Sequence, residues 1–261
     1  MDLQLEGKRV FVSGSTQGIG HAVARTCLAE GATVIVNGRT GAGVDAAVAR
    51  LRAEVPDGTV SGLAADLADA GEVASLLERL GPVDVLVNNV GTFGVESFAE
   101  VTDETWRHYL DVNLMSGVRL SRHVLGEMLD REWGRIIFIG TESAVDVPAD
   151  MVHYGATKAA ALALANGLAK LTRGTGVTVN TVLGGPTYSD GVQAVVEAIA
   201  AAHGSTAEDL KAGLVPPTSL VQRFLDPTEI ASLVAYLASP LSSATNGAAV
   251  RADGGVLTTV S

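Results

Sequence analysis

Short runs of β-branched and apolar residues alternate along the chain with longer Ala/Leu-rich segments. The apolar runs predict strands at 9–13, 33–37, 60–64, 83–88, 135–139 and 177–182, and a short last one at 248–251. Most are apolar on successive positions, the pattern of strands covered on both faces. Between them the pattern predicts helices over 19–30, 44–55, 70–80, 102–129, 151–173 and 228–238. This βαβα rhythm predicts an α/β fold. It is a doubly wound, Rossmann-type parallel sheet of about seven strands, with helices on both faces and right-handed crossovers. No linker divides the chain and no fixed-period repeat is visible, so residues 1–261 are expected to form one domain. The rhythm breaks at 184–222, which opens Gly-Gly-Pro-Thr, holds a weakly helical 191–203 and ends near Pro216-Pro217. An irregular insertion after a late strand is where an α/β enzyme often places a substrate lid; an ordinary surface excursion has the same composition.

Composition narrows the class. Hydrophobic residues are 47% and charged residues 18% of the chain, enough apolar content for a large core and too little charge for a disordered polyelectrolyte. The net charge of −11, with no Lys/Arg cluster, excludes a basic stripe for nucleic acid and argues against an anionic membrane surface. The longest apolar stretch, 159–171, is broken by Asn166 and Lys170 and is shorter than the ~18 residues a membrane span needs. The N-terminus has no basic region leading into an apolar run, so a cytoplasmic location is expected. Cys27 is the one cysteine, and its apolar helical setting reads as a small buried side chain rather than a reactive thiol. The five histidines are scattered, no cluster has metal-ligand spacing, and no metal is expected.

The first predicted strand runs into Gly14-Ser15-Thr16-Gln17-Gly18-Ile19-Gly20, and a helix follows. Glycines let the backbone turn tightly against a pyrophosphate, and the helix N-terminus offers it free N–H groups. The spacing departs from the commoner Gly-x-Gly-x-x-Gly, and a glycine turn can be purely structural; the flanking strand and helix point to dinucleotide binding. The second strand should end on an acid for a ribose 2′-hydroxyl. Here Gly38 holds that place, and Arg39 and Thr40 follow. A guanidinium grips a 2′-phosphate that a carboxylate would repel, so NADP(H) is preferred and NAD(H) stays possible. Arg39 as a solvated surface cation is the plain alternative. After the third strand, Asp66 in Ala65-Asp66-Leu67 either reaches an adenine edge or caps the helix near Ala70.

Tyr154 and Lys158 are four apart on a predicted helix and share a face. A phenol, with a pKa of about 10, is a poor acid or base at neutral pH. A neighbouring ammonium and an oxidised nicotinamide ring favour the phenolate. Tuned so, Tyr154 exchanges a proton with a substrate oxygen while hydride moves at carbon.

Together these residues resemble the short-chain dehydrogenase/reductase family over nearly the whole chain, with the flavour of its 3-oxoacyl-carrier-protein reductase-like branch. The resemblance rests on Gly14-x-x-x-Gly18-Ile19-Gly20, Asn88-Asn89-Val90-Gly91, Asn113, Tyr154-Gly-Ala-Thr-Lys158, Gly184-Gly185-Pro186-Thr187 and Pro227-Thr-Glu-Ile-Ala231, in that order. It implies that Tyr154 is the acid/base and that Lys158 lowers its pKa and binds the nicotinamide ribose. It implies that Asn113 joins a water relay, that Asn89 and Gly91 contact the adenosine side, and that Asp66 binds adenine. Gly185, Pro186 and Thr187 would close over the nicotinamide, with Thr187 or Ser189 near the carboxamide. Val90 replaces the family's alanine, at a cost in local packing only. The family's substrate-orienting serine falls by register on Thr141, with Ser143 two residues later as the rival. A threonine hydroxyl donates the same hydrogen bond, with added bulk. Glu142 lies beside the site as a substrate contact or, more plainly, a solvated acid or cap. His153 would point about 100° away from Tyr154 and reads as a wall or interface residue.

The expected function is therefore an NADPH-dependent carbonyl reductase, with hydride from the nicotinamide B-face and a proton from Tyr154. An alcohol dehydrogenase working oxidatively is the alternative in the same class. A non-catalytic NADP-binding sensor is the alternative outside it, at odds with the intact Asn113, Tyr154 and Lys158. The resemblance implies a homotetramer, or a homodimer, built on the helices at 102–129 and 151–173. Leu214, Val215, Leu220 and Val221 hint at an apolar or aromatic ketone, or equally at an acyl chain.

Overall fold

The computed structural model describes residues 1–203 and 206–260. The successive apolar runs become strands β1 (Arg9–Val12), β2 (Thr33–Gly38), β3 (Val60–Ala64), β4 (Val85–Asn88), β5 (Trp133–Thr141), β6 (Gly176–Gly184) and β7 (Ala249–Ala252). All pair in parallel, in the order β3-β2-β1-β4-β5-β6-β7. This is the expected doubly wound sheet. The strand order reverses between β1 and β4, and ligands of such sheets bind in the crevice beyond the strand ends at that point.

The helices are α1 (Gly18–Ala29), α2 (Gly41–Glu54), α3 (Ala70–Leu80), α4 (Asp103–Leu110), α5 (Ser116–Asp130), α6 (Val152–Leu171), α7 (Asp190–His203), α8 (Ala207–Gly213) and α9 (Pro227–Ala238). Along β1, Val10 and Val12 pack on one side with Val23, Ile230 and Val234 of α1 and α9. Phe11 points to the other side, among Leu76 of α3, Leu120 and Val124 of α5, and Ala165 of α6. The central strands feed two apolar layers, which is why they carry no polar alternation. Cys27 lies wholly inside the first layer, where burial pushes its thiol up to about 12; it is the inert side chain expected.

Two expectations need correction. The helix expected over 102–129 is interrupted: a π-helical turn, Asp111–Met115, separates α4 from α5. Ser116 ties its hydroxyl to the Val112 carbonyl at 2.6 Å, inside the widened turn. Hydrophobic spacing cannot reveal one inserted residue, and such turns concentrate at functional sites. The described residues of 184–222 also carry more helix than expected. They hold α7 and α8, and a bridge between Thr187 and Leu225 closes the excursion at its base.

Candidate active site

The glycine loop is built by close approaches. Gly14 and Gly18 take φ of +58° and +59°, where glycine is favoured. A Cβ on Gly20 would lie 2.5 Å from the Gly14 carbonyl and 2.5 Å from Asn89 Nδ2. The loop is braced from three strands. Asn37 Oδ1 accepts from Gly14 N (3.1 Å), while its amide donates to the Leu63 and Ala65 carbonyls. Asn89 Nδ2 donates to the carbonyls of Ser13 and Gly14. Ser13 Oγ accepts from the N–H groups of Asn89 and Val90. Ser15 Oγ donates to Val12 O and accepts from Asn37 N. Asn89 therefore braces the loop backbone through its amide. Gln17 is the α1 N-cap residue and makes no side-chain cap, and Ile19 packs against the first apolar layer.

Gly18 N donates to Asp190 Oδ2 at 2.6 Å. A carboxylate from the first residue of α7 thus sits on an N–H at the start of α1, where helix geometry favours an anion. Ser189 stands there too, 3.2 Å from where a Gly18 Cβ would be. Thr187, by contrast, is buried and donates to the Gly185 carbonyl at 2.9 Å. Gly185 backs onto Asp253, whose carbonyl would lie 2.5 Å from a Cβ. Pro186 holds the excursion's base through Leu225 N.

At the end of β2, Gly38 faces Thr16, whose Cγ2 would lie 2.4 Å from a Cβ. A side chain at 38 would require the Thr16 side chain to move. Arg39 and Thr40 are exposed, and Thr40 caps α2 through Gly43 N. Sequence reasoning missed Arg50 of α2, which donates to the Thr16 carbonyl at 2.9 Å and brings a second guanidinium to this corner. Only the packing of α2 against α1 places it there. Asp66 does not cap α3. Asp69 does, accepting from Gly71 N and Glu72 N. Asp66 instead accepts from Ala68 N in a local turn beside the buried Leu67.

Beyond β4 and β5 the second cluster assembles. Asn113, in the π turn, is buried and saturated: its amide donates to Thr92 O and Thr157 Oγ1, and its Oδ1 accepts from Thr92 N. A side chain so occupied braces the loop after β4. Gly91 lies over this brace, its absent Cβ 3.2 Å from Lys158 Nζ and 3.4 Å from Asn113 Oδ1. Lys158 is buried and donates to the Ile139 carbonyl at 3.1 Å. Burial pulls its pKa down to about 8.

Tyr154, Thr141 and Glu142 lie side by side. Thr141 is buried and donates to Glu142 Oε2 at 2.6 Å, next to the Tyr154 phenol. Its oxygen also accepts from Ser143 N at 3.2 Å. Ser143, also buried, donates to Glu142 Oε1 at 3.5 Å. Without the nicotinamide ring, the chain's own groups do not lower the Tyr154 pKa. Burial pushes it up to about 12; the Thr141 hydrogen bond opposes this, and the Glu142 charge and Tyr109 add to it. The Lys158 ammonium is spent on Ile139 and does not offset the burial. The chain's own groups therefore keep Tyr154 protonated at neutral pH. His153 points away, buried 4.4 Å from the Tyr109 ring.

The family model for short chain dehydrogenases matches residues 8–200. YvrD of Bacillus subtilis, described as an uncharacterized oxidoreductase, is 45% identical over 98% of this chain and 99% of its own. The 3-oxoacyl-[acyl-carrier-protein] reductase FabG of Vibrio harveyi is 32% identical over 97% of this chain and 99% of its own. Among solved structures, L-sorbose reductase from Gluconobacter frateurii, complexed with NADPH and L-sorbose, superposes with a TM-score of 0.94. It is 28% identical, and all of both chains is covered.

Proposed function

The chain belongs to the short-chain dehydrogenase family of oxidoreductases, and from that premise we propose that it is an NADPH-dependent carbonyl reductase with Tyr154 as proton donor. The observation that carries the reading is the row of a protonated phenol and the Thr141 hydroxyl beyond β5, with Lys158 buried one helical turn on. Reduction of a carbonyl needs a proton at its oxygen, and the Tyr154 phenol carries one. Thr141 is the orienting hydroxyl; Ser143 serves Glu142.

The glycine loop fits a dinucleotide. Its cradle closes only around glycine, and Asp190 already supplies an anion to Gly18 N. Gly14 to Gly20 would hold the diphosphate, Arg39 with Arg50 the 2′-phosphate, Asp66 the adenine, and Lys158 the nicotinamide ribose. When bound, the nicotinamide supplies hydride to the substrate carbon. Tyr154 delivers the proton to the substrate oxygen, and Thr141 steadies that oxygen as charge develops. The NADPH in the Gluconobacter reductase supports the same cofactor here.

The fitting substrate is a ketone or 3-oxoacyl-type compound with an apolar body. Phe93, Val95, Val145 and Leu220 are exposed, and Phe93 meets the Tyr154 ring edge-on at 6.4 Å. The FabG relative supports the 3-oxoacyl class. Residues 184–222 serve as the lid of a one-domain enzyme. A homotetramer accords with a shallow apolar hollow of about 390 Å³ at edge strand β7 and Ala159, Leu162 and Ala163 of α6. Among the described residues no helix is long and apolar enough to cross a membrane.

Nicotinamide fluorescence titrations test the cofactor. NADPH should bind more tightly than NADH, and Arg39→Ala should weaken NADPH alone by about 10- to 100-fold, the range of a charge-assisted hydrogen bond. Equal affinities in the wild type would remove Arg39 from the site. In the same assay Asp190→Asn should tighten either dinucleotide about three- to tenfold, because the carboxylate on Gly18 N competes with the diphosphate. Unchanged or weaker binding would mean that Asp190 yields without cost.

A further inference from the structure

Thr141 carries one hydroxyl proton, and it is already committed. The Oγ1 donates to Glu142 Oε2 at 2.6 Å, a charge-assisted distance, and accepts from Ser143 N at 3.2 Å. A ketone oxygen accepts hydrogen bonds and cannot donate one. While Glu142 is a carboxylate, Thr141 offers that oxygen lone pairs, which repel the charge developing on it. If Glu142 carries a proton, its O–H donates to Thr141 Oγ1, and the threonine proton is free to turn to the substrate.

We infer that Glu142 is a positioning residue which sets the polarity of the Thr141 hydroxyl, so that ketone reduction runs through the form with Glu142 protonated. The inference rests on the reductase reading. The surroundings of Glu142 make that form accessible. Burial pushes its pKa up; hydrogen bonds from Thr141, its own backbone and Ser143 oppose this, and the charge of Asp253 adds to the rise. The other ionisable groups facing it are accounted for. Asp253, beyond β7, is paired with Arg251 at 2.8 Å. Tyr154 of α6 stays protonated, with Tyr109 of α4 behind it. Lys158, a turn further along α6, is engaged by Ile139 O. No cation among these neutralises Glu142. A neutral glutamine here would donate permanently through Nε2, leaving Thr141 always able to donate onward.

The test is the pH profile of kcat/KM for NADPH-dependent ketone reduction in wild type, Glu142→Gln and Glu142→Ala. In wild type the rate should fall about tenfold per pH unit above the Glu142 pKa, well below the range in which Tyr154 ionises. Glu142→Gln should keep the low-pH rate within about threefold and lose this limb, so it outpaces wild type at pH 8 to 9. Glu142→Ala should lose the limb and run slower at every pH. A limb that persists in Glu142→Gln would overturn the inference, and so would a Gln variant as slow as the Ala variant. If no ketone is reduced even by wild type, the reductase reading fails first. Infrared spectra of protein with labelled glutamate then decide. A carboxylic-acid band absent from Glu142→Gln should titrate above the ordinary glutamate range and shift in Thr141→Val. Titration in the ordinary range would sink the proposal.

Discussion

Tyr154→Phe is expected to lower kcat by about 10²- to 10⁴-fold, the range carried by one general acid, and to change NADPH affinity by less than about threefold. The phenol is the proton-bearing group in the row, held protonated by burial and met by Thr141. Phenylalanine fills the same space and keeps the edge-on contact with Phe93, so melting should change little. Steady-state reduction paired with a fluorescence titration separates the two effects. Retained turnover would mean that another group delivers the proton. Lost binding would mean that the ring, not its hydroxyl, shapes the site. A sensor without turnover would pass through this substitution unaltered in function.

What the sequence made legible was whatever depends on local pattern. The parallel sheet follows from the βαβ rhythm, and the positions of the glycine loop and of Tyr154 with Lys158 follow from the end of β1 and the start of α6. The resemblance singled out Thr141 by its spacing before Tyr154, and in the fold Thr141 ends β5, opposite Gly184 of β6. What pattern could not show was long-range. Arg50 reaches Thr16 across 34 residues, and Asp190 reaches Gly18 across 172. The π turn at Asn113 leaves the apolar spacing almost unchanged while re-aiming one amide into the loop after β4. Glu142 shows how burial decides a role: an acid beside a serine and a threonine reads as solvated until strand β5 carries it inside. Burial likewise raises the Tyr154 pKa in the chain alone, a contribution that counting neighbouring charge leaves out.

Lys158 leads to the second large effect, and its sign separates function from stability. Its pKa falls from the ordinary 10.5 to about 8 through burial alone, so the charged form costs the fold about 3 kcal/mol. At neutral pH the ammonium is charged in both folded and unfolded chains, and this cost is fully present. Between about pH 8 and 10.5 the unfolded chain keeps a proton that the folded one has released, so this group's contribution to stability improves as pH rises. Lys158→Met removes the buried charge and leaves the Ile139 carbonyl without this donor, a loss of about 1–3 kcal/mol that offsets part of the gain. The net expectation is a variant about 1 kcal/mol more stable at pH 7, melting some 2–4 °C higher. That margin should shrink toward pH 10. Turnover should fall about 10²-fold or more, because the group that would hold the nicotinamide ribose beside Tyr154 is gone. Calorimetry of both proteins at pH 7 and pH 10, with an activity assay at pH 7, checks the pair of effects. A variant that melts below wild type at both pH values would show the ammonium to be a net structural support. A variant that gains stability and loses rate would show that this fold keeps an unfavourable buried charge for what it does at the substrate.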